Sequence, residues 1–214
     1  MCGIIGYVGA NSAEDVVLEG LRRMEYRGYD SAGIAVVGPD GLAIAKKAGK
    51  LANLEKVLAD QPLPAATTGM GHTRWATHGP PVDRNAHPHV SADRKVAVVH
   101  NGIIENFAGL RSELERGGLE LSSDTDTEVV AHLLAAAYDE TGPQSDRFAA
   151  AMRAVCLRLE GAFTLVAVHS DHPGQVVGAR RNSPLVAGIG NGEYFLGSDV
   201  SAFIAHTRDA LELG

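Results

Sequence analysis

Short apolar runs bounded by glycine recur along this 214-residue chain, and the helical stretches between them fall in groups rather than one per strand. That order limits the folds available. A parallel doubly wound sheet needs a helix after nearly every strand. Here Cys2–Val8 reads as a buried strand, and Asn11–Glu25 reads as a helix with Val16, Val17, Leu21 and Met24 at helical spacing. Ala32–Val37 and Leu42–Lys47 flank Gly38-Pro39-Asp40-Gly41, a hairpin signal. A short helix follows at Leu51–Ala59, then a loop-rich stretch from Gly69 to Asp93, a strand at Val96–His100 and a helix at Phe107–Arg116. Thr125-Asp126-Thr127-Glu128 fits a capping box opening the apolar helix Val129–Tyr138, and Arg147–Leu159 is a further amphipathic helix. Strands close the chain at Ala162–His169, Gln175–Ala179, Leu185–Ile189 and Glu193–Leu196. The pattern supports mixed α/β structure with helices packed outside two stacked sheets.

Composition narrows the function. Hydrophobic residues make up 45% of the chain, enough for a sizeable core, and 25 glycines suit many turns and close backbone approaches. A formal net charge of -7, with no long Lys/Arg run, speaks against a nucleic-acid partner. No apolar stretch is long enough to span a bilayer, and the start has neither a basic region nor a signal-like cleavage site, so a cytoplasmic protein is expected. Two cysteines, Cys2 and Cys156, do not make a disulfide framework.

Cys2 is the first candidate for chemistry. Removal of Met1 would leave a residue with both a thiol and a free α-amine, and an α-amine of pKa about 7.7–8 can act as base toward its own thiol. On position alone, a small buried strand residue is the plainer reading. Cys156 lies on an apolar helical stripe and reads as core. Asn101-Gly102 follows an apolar strand and, as a dipeptide, reads as an ordinary turn. His72, His78, His87, His89 and His100 could converge on a metal, but no His-x-x-x-His or Cys-x-x-Cys pattern supports one.

Six segments taken together are more specific: Cys2-Gly3-Ile4, Tyr26–Gly33, His72–Gly79, Ala86–His89, His100–Asn106 and Ser123–Glu128. With them the whole chain resembles the glutamine-hydrolysing domain of the class II glutamine amidotransferases, the N-terminal-nucleophile type. The branch it resembles passes ammonia to fructose 6-phosphate. The amidophosphoribosyltransferase branch has a similar start and Asn-Gly element but lacks the Arg-Trp-Ala-Thr-His run. A glutamine-binding module without catalysis is the other open reading.

The resemblance implies an α+β fold, a four-layer αββα sandwich, over residues 1–214, with no cofactor and no metal. It implies hydrolysis of L-glutamine through a thioester on Cys2, with the α-amine as base and Asn101 and Gly102 as oxyanion donors. Arg74 would bind the substrate carboxylate and Asp126 its ammonium. Without the resemblance, Asp126 would read as a plain helix-terminus residue. Trp75, Thr77 and His78 would line the pocket under a lid over Arg74–Pro81. Arg27 would support the site, and His87 would face a sugar-isomerase module or, in its absence, stand as a solvated loop residue. Because the chain stops at Gly214, the resemblance implies an isolated domain whose longer relatives carry sugar-isomerase modules, bind fructose 6-phosphate and form a homodimer.

Overall fold

The strands alternate so that each carries two apolar faces, and this alternation builds the layers. The computed structural model describes residues 2–27, 30–75 and 79–213, with only the backbone of Arg27. Among the described residues eleven strands form two antiparallel sheets. The first sheet contains β1 (Gly3–Val8), β2 (Ser31–Gly38), β3 (Gly41–Ala48), β4 (Thr68–Arg74), β9 (Val186–Ile189), β10 (Tyr194–Gly197) and β11 (Ala210–Glu212). Its order is β11-β9-β10-β1-β4-β2-β3. The second contains β5 (His89–Val90), β6 (Val96–Ile104), β7 (Gly161–His169) and β8 (Val177–Arg181), in that order.

Two helices, α1 (Ala13–Met24) and α2 (Leu51–Asp60), cover the outer face of the first sheet. Their Val17, Leu21, Leu54 and Leu58 pack with Ile5, Ile34 and Val36. The outer face of the second sheet meets α4 (Asp126–Glu140) and α5 (Arg147–Arg158), with α3 (Phe107–Arg116) against α4. There Val129, Leu133 and Met152 pack with Val98, Phe163 and Leu165. The neighbouring residues on the same strands, Ile4, Ala35, Val99 and Val166, point the other way and form a third cluster between the sheets. The chain is thus an αββα sandwich, as expected. Each large apolar side chain buried there stabilises the fold by roughly 1.5–3 kcal/mol at most.

Two expectations are corrected, and one strand is added. The stretch from Gly69 to Asp93 is not loop throughout, because Thr68–Arg74 forms β4, between β1 and β2. Asn101-Gly102 is not a turn after a strand but lies inside β6, opposite Thr164 and Phe163 of β7. An extra edge strand, β11, pairs with β9 through exposed residues that carry no apolar alternation. The cap before α4 forms only in part. Thr125 Oγ1 accepts from the Glu128 N–H, but the Glu128 carboxylate turns to the N–H groups of Ser122 and Ser123 rather than back to Thr125. Burial would raise the Glu128 pKa, yet hydrogen bonds from His132, Ser123 and Ser122 outweigh it and hold the group ionised.

Helix α1 lies close on β4 because Gly71 has no side chain. A Cβ there would come within 2.5 Å of Val17 and 2.9 Å of Leu21. Gly71→Val should therefore destabilise the chain by roughly 1–3 kcal/mol, read as a lowered urea midpoint at unchanged slope. An unchanged midpoint would show that α1 can shift away at no cost.

Candidate active site

The end of β1 brings the Cys2 thiol to the mouth of the inter-sheet space. Strand β1 pairs with β4 from Gly3 opposite Thr73 to Val8 opposite Thr68. The Gly3 N–H donates to Thr73 Oγ1 (3.2 Å) and the Ile4 N–H to Ser198 Oγ (3.0 Å). Neither hydroxyl was singled out from the sequence, since a serine or threonine that anchors a backbone N–H has no local signature. With the start of the strand held on both sides, Cys2 Sγ lies 3.1 Å from the Trp75 N–H, which donates to it. Burial raises the thiol pKa, while the Trp75 N–H and the Arg74 charge pull it down.

Strand β6 supplies the facing wall. Asn101 Nδ2 donates to the Cys2 carbonyl across the two sheets (3.1 Å). Gly102 has φ +118, and a Cβ there would run into the Ala162 carbonyl of the neighbouring strand. Glycine is what that backbone requires.

Arg74 ends β4 and Asp126 opens α4, both at most 4% exposed. With Cys2, His72, Trp75, His87, His100, Gly102 and Thr125 they line a narrow cleft of about 30 Å³. Asp126 Oδ2 accepts from the Ile104 N–H (3.0 Å), and one Arg74 N–H reaches the Gly79 carbonyl at 3.3 Å. Burial lowers the Arg74 pKa, opposed by Asp30, Cys2 and Asp126, and a guanidinium keeps its charge. One cation and one carboxylate therefore face a cleft that also holds a thiol. A larger groove runs between the edge strands β3 and β5. Its Lys46 ammonium is occupied by the carbonyls of Ala86 and Pro88, and no thiol lies near.

The structure thus brings Cys2, Arg74, Trp75, Asn101, Gly102 and Asp126 together. Trp75 is half exposed, at 49%, with its N–H on the thiol. Met1, Thr77, His78 and the Arg27 side chain lie outside the described residues. His87 is not a solvated loop residue. It is 5% exposed, its ring packs on His72 at 4.2 Å between centroids, and its Nδ1 accepts from the His100 N–H. The sequence shows the His-Pro-His loop but not that Gly33 of β2 leaves room for the His87 carbonyl. His72, His87 and His89 do converge, but ring against ring, and they and His100 are engaged with hydroxyl and carbonyl partners. Among the described residues no group of three or more His, Cys, Asp or Glu side chains is placed to hold a metal.

Burial holds His72, His87 and His89 neutral. His72 and His89 are each pushed down to about 3, and His87 well below its ordinary value. Unfolded histidines titrate near 6.5, so between about pH 6.5 and 3 the unfolded chain binds protons that the folded chain does not. Stability should be full above about pH 6.5 and fall on acidification, by up to about 1.4 kcal/mol per pH unit for each buried histidine. A urea midpoint that drops between pH 7.5 and 5 tests this, and a flat midpoint would contradict the burial of the stack.

Comparison with known proteins follows the same lines. A family described as "Glutamine amidotransferase domain" matches residues 61–213. The chain is 70% identical over its full 214 residues to glutamine–fructose-6-phosphate aminotransferase [isomerizing] of Streptomyces coelicolor, covering 34% of that protein. It is 62% identical over 216 residues to the Mycobacterium tuberculosis protein of the same name, again covering all of this chain and 34% of the relative. The chain thus spans about a third of the length of these relatives. In fold it resembles the glutamine phosphoribosylpyrophosphate amidotransferase of B. subtilis. That match has a TM-score of 0.79 at 24% identity, over 99% of this chain and 44% of the other. It also resembles a glutamine aminotransferase class-II domain protein from Silicibacter pomeroyi, with a TM-score of 0.58 at 17% identity over 100% of this chain and 91% of the other.

Proposed function

Because the chain belongs to the glutamine amidotransferase domain family, we propose that residues 1–214 form one glutaminase domain. It hydrolyses L-glutamine to L-glutamate and ammonia through a γ-glutamyl thioester on Cys2. The observation that carries this reading is the meeting of the Cys2 sulfur, the Asn101 amide, Gly102, Arg74 and Asp126 at one small cleft.

Removal of Met1 frees the Cys2 α-amine. The thiol proton passes to that amine as sulfur attacks the side-chain amide carbon of glutamine. The carbonyl oxygen takes the negative charge and is held by Asn101 Nδ2–H and the Gly102 N–H. Neutral donors fixed at this position stabilise the developing charge without reorganising. Collapse of the intermediate breaks the C–N bond, and the α-ammonium returns its proton to the leaving ammonia. Water then opens the thioester and releases glutamate. Arg74 holds the substrate α-carboxylate and Asp126 its α-ammonium, a charge arrangement matched to a zwitterion. Trp75, Thr77 and His78 cover the bound substrate, and Arg27 and His87 support the site.

In the longer relatives, named as fructose-6-phosphate aminotransferases, the ammonia would be used on fructose 6-phosphate by a sugar-isomerase part. The present chain corresponds to the glutamine-hydrolysing part of such an enzyme, which we take to be a cytoplasmic homodimer. Support for this branch over amidophosphoribosyltransferase is the identity of 59–70% to relatives of the former name, against 24% to the solved structure of the latter.

Cys2→Ala should abolish glutamate release, since Cys156 lies on α5 and does not line the cleft. Asn101→Ala should lower kcat on the order of 10²–10³-fold, and Arg74→Ala should act mainly on KM. Glutamate release by the purified chain measures all three. An Asn101→Ala variant with unchanged kcat would remove the oxyanion assignment, and bound glutamine without any glutamate release would favour a binding module.

A further inference from the structure

We propose that His72 is a positioning residue that sets which way the Asn101 amide faces, by donating its Nε2–H to Asn101 Oδ1. The inference rests on the reading of Asn101 as an oxyanion donor. An asparagine can serve there only with its nitrogen, not its oxygen, toward the reacting carbonyl, and the two ends of an amide have the same shape. Something must choose between them.

The choice is made at both ends of the side chain. His72 lies in β4, opposite Ile4 of β1 and Gly33 of β2, and is fully buried. Its Nε2 is 3.0 Å from the His100 carbonyl and 3.0 Å from Asn101 Oδ1. A carbonyl oxygen only accepts, so Nε2 carries the proton, and the Asn101 atom facing that proton is its oxygen. At the other end Asn101 Nδ2 donates to the Cys2 carbonyl at 3.1 Å, which again only accepts. Turning the amide over would set an N–H against an N–H on one side and a carbonyl against a carbonyl on the other. Both ends therefore select the orientation that presents Nδ2 at the Cys2 side of the cleft.

The tautomer is protected as well. Nδ1 of His72 has no hydrogen-bond partner among the described residues, so nothing holds a proton on that side. The His87 ring packs over His72 with an interplanar angle of 31°, and His89 lies edge-on behind it at 5.0 Å. This stack excludes water, and burial keeps the ring neutral. A neutral ring is what a single, directed donor requires, and it adds no charge beside Arg74. His100 takes no part in the choice through its ring, because its Nδ1 is engaged with Thr127 Oγ1 at 3.1 Å.

The test is steady-state glutamine hydrolysis by His72→Leu, His72→Gln, Asn101→Ala and the His72→Leu/Asn101→Ala double variant. His72→Leu is expected to lower kcat about 10- to 100-fold, with KM for glutamine changed less than about twofold. His72→Gln, whose amide N–H can take the place of Nε2–H, should recover most of that loss. In the Asn101→Ala background His72→Leu should cost less than about twofold, because the group it positions is gone. If Asn101→Ala lowers kcat but the His72→Leu loss adds to it in full, the positioning role is overturned while the oxyanion reading stands. If Asn101→Ala leaves kcat unchanged, both fall together. Nitrogen-15 NMR of the unsubstituted chain decides the matter without any variant. A neutral His72 ring protonated at Nε2 is expected, and protonation at Nδ1 overturns the proposal.

Discussion

A hydrogen bond from Asn101 Nδ2 to the Cys2 carbonyl, backed by those from His72 to Asn101 and His100, joins the two sheets beside the Cys2 thiol. Cys2 belongs to the first sheet through β1, and Asn101 to the second through β6. Everything else in the molecule can be seen as keeping those two strands at that separation. The cluster of Ile4, Ala35, Val99 and Val166 fills the space between the sheets, and the helices on each side close the outer faces. A thiol on a chain terminus would ordinarily fray. Here Thr73, Ser198 and the Trp75 N–H hold the first three described residues, so the Cys2 thiol starts from a fixed backbone.

The electrostatics of the cleft follow from the same burial. Arg74 and Asp126 are almost wholly withdrawn from water, and each keeps a backbone partner, the Gly79 carbonyl and the Ile104 N–H. Charges so placed act on a ligand more strongly than the same charges on a surface. His72, His87 and His89 beside them are held neutral by the same burial, which turns three potential cations into directional hydrogen-bonding groups. The cleft thus combines one fixed cation, one fixed anion and neutral donors, an arrangement suited to a small amino acid whose side-chain amide is to be opened.

Much of this was legible in the sequence. Strand β1, helix α1, the β2–β3 hairpin and helix α5 follow directly from apolar periodicity and turn residues. That Cys2, Arg74, Asn101-Gly102 and Asp126 come together was legible only through the company they keep, since they lie in separate segments that local pattern cannot join. What was not legible depends on contacts distant in the chain. Thr-Gly-Met-Gly-His-Thr-Arg has too little apolar alternation to announce a strand, and β4 forms because β1 and β2 pair with it on both sides. Asn101-Gly102 carries the signature of a turn, yet pairing with β7 extends the strand through it, and the glycine supplies the positive φ. His87 reads as a loop residue because its burial comes from His72 and His100, neither near it in sequence.

The central claim is that the Cys2 thiol, with a free α-amine, is the reacting group of this cleft. The most direct measurement is the intact mass of the purified chain before and after treatment with an electrophilic glutamine analogue, followed by peptide mapping. The account predicts a mass lacking Met1 and a single adduct on Cys2, with formation slowed by excess glutamine. A chain without Met1 that takes no adduct at Cys2, or takes it at Cys156 regardless of glutamine, would contradict it.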